Sequence, residues 1–342
     1  MTQNFLLSAQ ARTLSLASVL RLSEGAAWEV FKGMRWAETL GEPVCPRCAC
    51  DVVYTFRTRK IFKCKRCEHQ FSVTSGTIFA SRKISVGAIL AAIAIFLGGA
   101  KGYPALQLSR TLDVQYKTAF VLSHKIREAL GSKIGRHRLK GVVEVDGAYF
   151  GGYVKPANRR TDRIDRRLAM HRTGKRQVVV VIRERGGRTF PFVAVSEGAA
   201  VPVIARSLEP GSVVHADEAS AYDVLAAGFD MKRINHGVEY SNPSSCTNMA
   251  ESFFSRLRRA ETGIHHHIAG PYLSAYALEQ AWREDNRRLS TGDQLSAAGQ
   301  AALGHPVSRR WKGYWQRRCS LTCHPRGPPP EGSPHEHPGR AA

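Results

Sequence analysis

Four cysteines in the first part of the 342-residue chain have the spacing of a metal site. They form two Cys-x2-Cys pairs, Cys45 with Cys48 and Cys64 with Cys67, with 15 residues between the pairs. The two-residue gap lets both sulfur atoms of a pair reach one ion, and four thiolates satisfy tetrahedral Zn²⁺. Two redox pairs or unliganded cysteines are the alternatives, but the paired spacing favours a closed, structural zinc site. Cys50, beside the first pair, is a less favoured ligand.

Three acidic residues form a second candidate group. Asp146 and Asp217 each end an apolar strand pattern, and Glu251 lies in the first turn of an amphipathic helical pattern. Taken singly, the aspartates fit ordinary strand-end turns, and the glutamate fits a helix N-terminus, whose dipole favours acidic side chains. Together they are more suggestive, because two neighbouring parallel strands and a covering helix can bring three carboxylates to one point. Oxygen ligands without His or Cys suit Mg²⁺ or Mn²⁺, and a pair of such ions promotes phosphodiester chemistry.

The charge of the chain indicates a polyanionic partner. Fifty Lys and Arg against 28 Asp and Glu give a net charge of +22. Nucleic acid is the first candidate partner, an anionic membrane surface the second, and a merely solvated basic surface the third possibility. Arg258 lies seven residues after Glu251, and so on the same face of its helix, where a guanidinium could hold a phosphate. An ordinary solvated arginine is the alternative there.

The sequence also favours a cytoplasmic location and no membrane span. The N-terminus lacks the charged start and sustained apolar run of a signal peptide. The most apolar stretch, residues 84–100, is shorter than the ~20 residues that a membrane helix needs, so we expect it to be a buried helix. In the cytoplasm thiols stay reduced, which suits metal-binding cysteines.

The predicted secondary structure that must position these groups changes along the chain from helices to a mixture of strands and helices. Two weak helical patterns come first, then the cysteine unit, whose many lysines and arginines make it a plausible DNA-contacting module. Residues 105–126 have the length of a helix-turn-helix, with Lys117, Lys125 and Arg127 on the second helix as candidate DNA contacts, although many helical hairpins share this spacing. From residue 141 the pattern is three strands, helix, strand, helix, strand and helix, which indicates a mixed α/β architecture.

These patterns divide the chain into five parts. Beyond about residue 290 the ordering signal fades, and from 320 the Pro, Gly and His content predicts disorder. The expected parts are an N-terminal helical segment (1–40), a zinc ribbon (41–78), a helix-turn-helix-like DNA-binding domain (83–135), a catalytic domain (141–290) and a C-terminal extension (291–342).

Four stretches give the chain a family resemblance. KIFKCKRCEHQFSVTSGTIFAS (60–81), VEVDGAYFGG (143–152), HADEASAYD (215–223) and the block that begins NMAESFFSRLRRAETGIHHH at residue 248 resemble bacterial insertion-sequence transposases that join an N-terminal zinc ribbon to an ISXO-like DDE domain. The resemblance covers roughly residues 25–318. It implies an RNase H-like fold with Asp146, Asp217 and Glu251 as the metal-binding catalytic triad, and Arg258 as a DNA contact. The histidine run at 265–267 fits either a DNA-facing loop or a solvated one.

The resemblance also implies a reaction. An oligomer would bind the terminal inverted repeats of its own element through the ribbon and the helical module. It would then cleave the element ends with Mg²⁺, or Mn²⁺, and transfer the freed 3′-hydroxyl to target DNA. The alternatives are a DNA-binding regulator that has lost catalysis, against which the intact triad argues, and a simple nuclease or junction resolvase, which would not need two DNA-reading modules.

Overall fold

The computed structural model describes residues 4–151, 159–162, 176–217, 219–234 and 246–316. The tail from residue 320, for which the composition predicts disorder, lies outside the described residues. The helices are α1 Leu16–Leu20, α2 Glu24–Arg35, α3 Val86–Gly98, α4 Ala105–Thr111, α5 Tyr116–Gly131, α6 Glu197–Ser207, α7 Asn248–Ala260, α8 Gly270–Asn286 and α9 Thr291–Gly304. The strands are β1 Val53–Phe56, β2 Ile61–Cys64, β3 Gln70–Phe71, β4 Val142–Phe150, β5 Gln177–Glu184, β6 Thr189–Ala194, β7 Val213–Ala216 and β8 Asp230–Arg233.

The cysteine unit is a small antiparallel sheet that packs on the N-terminal helices. Strands β1, β2 and β3 pair in that order, and Phe62 of β2 is fully buried. Its ring lies 5.5 Å from Trp28 of α2, 5.4 Å from Trp36 and 5.4 Å from Phe71, measured between ring centroids. These ring contacts show that the N-terminal segment covers one face of the ribbon and removes its aromatic side chains from water.

The helical region shares its core with the ribbon. The apolar helix α3 lies at the centre, with Ile89, Leu90 and Ile93 buried, as expected for the 84–100 stretch. No helix in the described part of the chain is both long and apolar enough to cross a membrane.

The expectation that order fades after residue 290 was wrong for the next two dozen residues. Helix α9, capped by Ser290, packs Leu295 and Leu303 into this same core.

The catalytic region is built on a five-stranded mixed sheet. The strand order is β6-β5-β4-β7-β8, with β5 antiparallel to β4 and β6, and with β4, β7 and β8 parallel to one another. Three consecutive antiparallel strands followed by two parallel ones form the RNase H-like sheet that the resemblance implied. Residues of β5 are buried along almost its whole length, which explains the run of four valines at 178–181.

Two layers of helices cover this sheet. Helix α6 and a 3₁₀ segment, Ser220–Ala227, pack on one face with Val143 and Val145 of β4. Helices α7 and α8 pack on the other face with Ala148 and Phe150. Because side chains alternate along a strand, Glu144 and Asp146 face the α7 layer.

A buried ion pair joins the helical region to the catalytic region. Nε of Arg127, on α5, lies 2.6 Å from Oε2 of Glu279, on α8, and the two side chains are 1% and 0% exposed. Arg283 also pairs with Glu279, at 2.9 Å. The expectation that Arg127 contacts DNA was therefore wrong, because its guanidinium lies inside the protein and is neutralised there.

We predict that Glu279→Gln lowers the free energy of unfolding by about 3–5 kcal/mol, because it leaves the buried Arg127 guanidinium without its counter-charge. Urea denaturation measures this change. Glu29→Gln, which removes the exposed acid of a pair with Lys32 on α2, is the matched control and should cost at most about 1 kcal/mol. Equal losses in the two variants would contradict the interpretation.

Candidate active site and zinc centre

The four predicted cysteines converge in the structure. The Sγ atoms of Cys45 and Cys67, and those of Cys48 and Cys64, are 3.6 Å apart, and those of Cys48 and Cys67 are 3.4 Å apart. A tetrahedron with Zn–S bonds of about 2.3 Å places its sulfur atoms about 3.8 Å apart, so the four thiols fit one zinc ion. Cys50 is not part of this set, because its thiol is directed at the carbonyl of Val52.

The backbone shapes each cysteine pair into the same turn. Ala49 and Glu68, each directly after the second cysteine of its pair, have φ of 56° and 57°. The amide of Ala49 bonds to the carbonyl of Cys45 and that of Glu68 to the carbonyl of Cys64, at 2.9 and 3.1 Å. These closed loops hold the two thiols of each pair close together.

The sheet register brings the two predicted aspartates side by side. The parallel ladder between β4 and β7 ends with Val145 opposite Ala216. Asp146 and Asp217 are the next residues on the two strands, so their carboxylates leave the ladder at the same edge. Strand β4 itself continues to Phe150, four residues beyond the predicted end, because β5 pairs with it there.

Helix α7 brings the third acid to the same edge. Its residues Phe253, Phe254 and Leu257 are buried against the sheet, which turns Glu251 towards Asp146. A cleft of about 520 Å³ is lined by Asp146, Gly147, Ala148, Glu251, Phe254, Ser255, Arg258 and Arg259. Arg258 is exposed at this cleft, so the residue expected to hold a phosphate lies beside the acids.

The electrostatics of Asp146 reflect this crowding. Burial and the negative charges of Asp217, Glu251 and Glu197 together raise the pKa of Asp146 to about 7, against the lowering effect of the hydrogen bond from the Gly147 amide. A carboxylate that resists ionisation because of its acidic neighbours is stabilised by a divalent cation, so this donor set fits Mg²⁺ or Mn²⁺. Among the described residues, however, only the cysteines bring three or more ligand atoms within 4.8 Å of one another.

Glu197 and Tyr222 belong to the surroundings of the site and were missed at the sequence level. A Cβ atom added to Gly147 would lie 2.8 Å from Oε1 of Glu197 and 2.9 Å from the Tyr222 hydroxyl, so glycine is required for this close approach. Burial and the charge of Asp217 raise the pKa of Glu197. The sequence signal for Glu197 is Ser196, an N-cap residue that directly precedes α6.

The remaining candidate DNA contacts differ in exposure. Lys117 is exposed in the first turn of α5, with its Nζ 5.3 Å from the centroid of the Trp315 ring. Lys125 is half-buried, and burial lowers its pKa. In the histidine run, His265 packs against Tyr276 at 4.6 Å between ring centroids and does not face outward, whereas His266 and His267 are exposed.

Two family models match the chain. Residues 138–285 match the ISXO2-like transposase domain, and residues 22–70 match the transposase zinc-ribbon domain. The ribbon match begins just before α2, the helix that packs on the small sheet. A relative described as an uncharacterized protein in transposable element ISH50 of Halobacterium salinarum is 26% identical over 275 residues, which cover 76% of this chain and 91% of the relative.

We predict that the ribbon holds one zinc ion per chain. Cys64→Ser should lose this zinc, because it removes one of the four thiolates. It should also lower the melting temperature, because Cys64 is buried in the core that the ribbon shares with the helices. Cys50→Ser, the matched control, should retain zinc, since its thiol lies outside the cluster. Metal analysis of the purified proteins measures this, and loss of zinc from Cys50→Ser alone would overturn the ligand assignment.

We also predict that His265 lowers the stability of the protein as the pH falls from 6.5 to about 4, in opposition to Asp146, whose raised pKa stabilises the folded protein in the same range. Burial, with Arg127, Arg283 and His266, lowers the pKa of His265 from 6.5 to about 4, although Glu279 opposes this. Below pH 6.5 the unfolded chain therefore binds a proton that the folded chain does not, and stability falls.

Urea denaturation at pH 7 and pH 5 measures this effect. His265→Leu should remove the His265 contribution, so that lowering the pH from 7 to 5 destabilises this variant less than the unmodified protein, whereas His267→Leu, at an exposed position, should leave the difference between the two free energies of unfolding unchanged. An unchanged difference in His265→Leu would contradict the assignment.

Proposed function

We propose that this transposase, which joins a transposase zinc ribbon to an ISXO2-like transposase domain, binds the terminal inverted repeats of its own insertion sequence. There it catalyses divalent-metal-dependent cleavage of the DNA strand and transfer of the freed 3′-hydroxyl to target DNA. This proposal is supported by the register of β4 and β7, whose shared ladder ends just before Asp146 and Asp217, and by burial and the charges of Asp217 and Glu251, which raise the pKa of Asp146.

Asp146, Asp217 and Glu251 would hold Mg²⁺ or Mn²⁺ in this reaction. Bound divalent cations activate the attacking oxygen and stabilise the leaving oxygen of a phosphodiester. Asp146 supplies its ligand oxygen from the centre of the sheet, Asp217 from the neighbouring strand and Glu251 from the covering helix. Arg258, which lines the same cleft as Glu251, would hold a DNA phosphate there.

DNA recognition is assigned to the N-terminal half of the chain. The basic ribbon and the exposed first turn of α5, with Lys117, offer cationic side chains to the phosphate backbone. Lys125 is a weaker candidate because of its burial, and Arg127 is not proposed. We further propose that the protein acts as a homo-oligomer, because a transposition reaction joins two element ends, and that it works on nucleoid DNA in the cytoplasm.

The test of the proposed chemistry is Asp146→Asn. This variant should bind a duplex carrying the element end as tightly as the unmodified protein, because the substitution leaves the ribbon and α5 intact. Strand cleavage in Mg²⁺ should fall by a factor on the order of 10³ or more, since one component of an electrostatic active site is removed. Gel-shift and end-nicking assays on the same labelled duplex measure the two properties.

The matched control is Asp230→Asn, an exposed aspartate on the outer strand β8. It removes the same charge from the same sheet and should leave cleavage unchanged. Full cleavage by Asp146→Asn would refute the catalytic assignment. End binding without cleavage by the unmodified protein would instead favour a DNA-binding regulator.

A further inference from the structure

Helix α7, which carries Glu251, begins with an unusual cap. The first amides of a helix have no partners within it and need an acceptor from elsewhere. The N-cap residue Thr247 does not supply that acceptor, since its hydroxyl is directed at Glu251. The carboxylate of Glu144 on β4 supplies it: Oε2 accepts from the amides of Met249 at 2.8 Å and Ala250 at 3.1 Å.

The capping carboxylate of Glu144 is completely buried and has a charged partner. The side chain of Glu144 is 0% exposed, and its second oxygen, Oε1, accepts from Nε of Arg185 at 3.1 Å. A buried carboxylate is costly unless it is matched, and here a helix N-terminus and a guanidinium match it. Glu144 therefore joins two parts of the fold that are more than one hundred residues apart in the chain.

The same guanidinium extends this contact to a third element. Nη2 of Arg185 lies 3.3 Å from Nδ1 of His215 on β7 and donates to the carbonyl of Cys246 at 3.3 Å. The amide of Cys246 donates to the same Nδ1 at 3.1 Å, so this ring nitrogen acts as an acceptor. Glu144, Arg185, His215 and Cys246 thus form one polar cluster beneath the cleft, which we call the anchor cluster.

The anchor cluster sits next to every member of the triad. Glu144 precedes Asp146 by two residues on the same face of β4, and His215 precedes Asp217 by two residues on β7. Ala250, whose amide Glu144 accepts, directly precedes Glu251. Any shift of α7 relative to the sheet would stretch these hydrogen bonds and move Glu251 away from the aspartates.

We propose that Glu144 is a positioning residue of this active site: by capping α7 from the sheet, it sets the distance between Glu251 and the two aspartates. This inference rests on the proposed function only for the identity of the reaction. The placement of the metal-binding carboxylates is a separate claim that is measurable without DNA.

The experiment compares Glu144→Gln with a matched control, Glu184→Gln, in the full-length zinc-loaded protein. Glu184 is also buried, lies on neighbouring β5, pairs with Arg188 and accepts two backbone amides, from Lys140 at 2.9 Å and Arg188 at 3.0 Å. These contacts are with Lys140 and Arg188, and not with residues of the triad or the anchor cluster. Both glutamines keep one acceptor oxygen and lose the charge, so both variants should lower the melting temperature.

Two readouts separate positioning from stability. The first is Mn²⁺ binding, followed by the electron paramagnetic resonance signal of the free ion, with Asp146→Asn as the baseline for a damaged site. The second is the rate of end cleavage at saturating DNA across a Mn²⁺ titration. Glu144→Gln should weaken Mn²⁺ binding about tenfold or more and slow cleavage about 10²-fold, while end binding in EDTA stays unchanged.

Glu144→Ala, which retains no acceptor oxygen, should have a larger effect than Glu144→Gln, and Glu184→Gln should match the unmodified protein in both readouts. Equal Mn²⁺ affinity in Glu144→Gln and Glu184→Gln would overturn the positioning role even if Glu144→Ala fails to fold. Weakened Mn²⁺ binding in Glu144→Gln, in a protein that cleaves no element ends, would support the positioning role and refute the proposed reaction. An unmodified protein that neither cleaves nor binds Mn²⁺ through Asp146 would refute both.

Discussion

Carboxylates held close together in a partly buried cleft repel one another, and the sheet and helix α7 have to hold them there. Burial, together with this repulsion, raises the pKa of Asp146 to about 7. The chain opposes it with contacts outside the cleft: the parallel ladder of β4 and β7 fixes the two aspartates, and the apolar face of α7 together with the Glu144 cap fixes Glu251. The positions of the three acids therefore depend on the register of the sheet and on the packing of α7 against it.

The sequence predicted those features of the site that follow from local patterns. The Cys-x2-Cys spacing has one simple geometric solution, so the zinc centre could be predicted with its four ligands. The strands before Asp146 and Asp217 are short apolar runs, and a parallel pairing of such runs places their ends together. Glu144 could not be assigned in the same way. A glutamate between two valines gives no sign that it caps a helix a hundred residues later, because that contact exists only in the assembled sheet.

Burial that arises from tertiary packing explains the wrong expectations. Arg127 lies on a helix with basic residues along it, but α8 covers that face and provides Glu279, so the charge is inside. Helix α9 was missed because its buried positions include small alanines, Ala298 and Ala302, which give a weak hydrophobic pattern. Both cases concern a helix whose partner comes from a distant part of the chain.

Helix α8 connects the helical region to the sheet that carries the candidate site. Its residues Leu273 and Ala281 pack on the catalytic sheet with α7, whereas Trp282 packs in the core shared by the ribbon and α3. Glu279, between these positions, holds Arg127 of α5 in a buried ion pair. A buried pair has little freedom to move without exposing a charge to an apolar interior, so it resists rotation of α5 about α8. The surface that carries Lys117 and the cleft that carries Asp146 are therefore linked through the packing of α5 on α8.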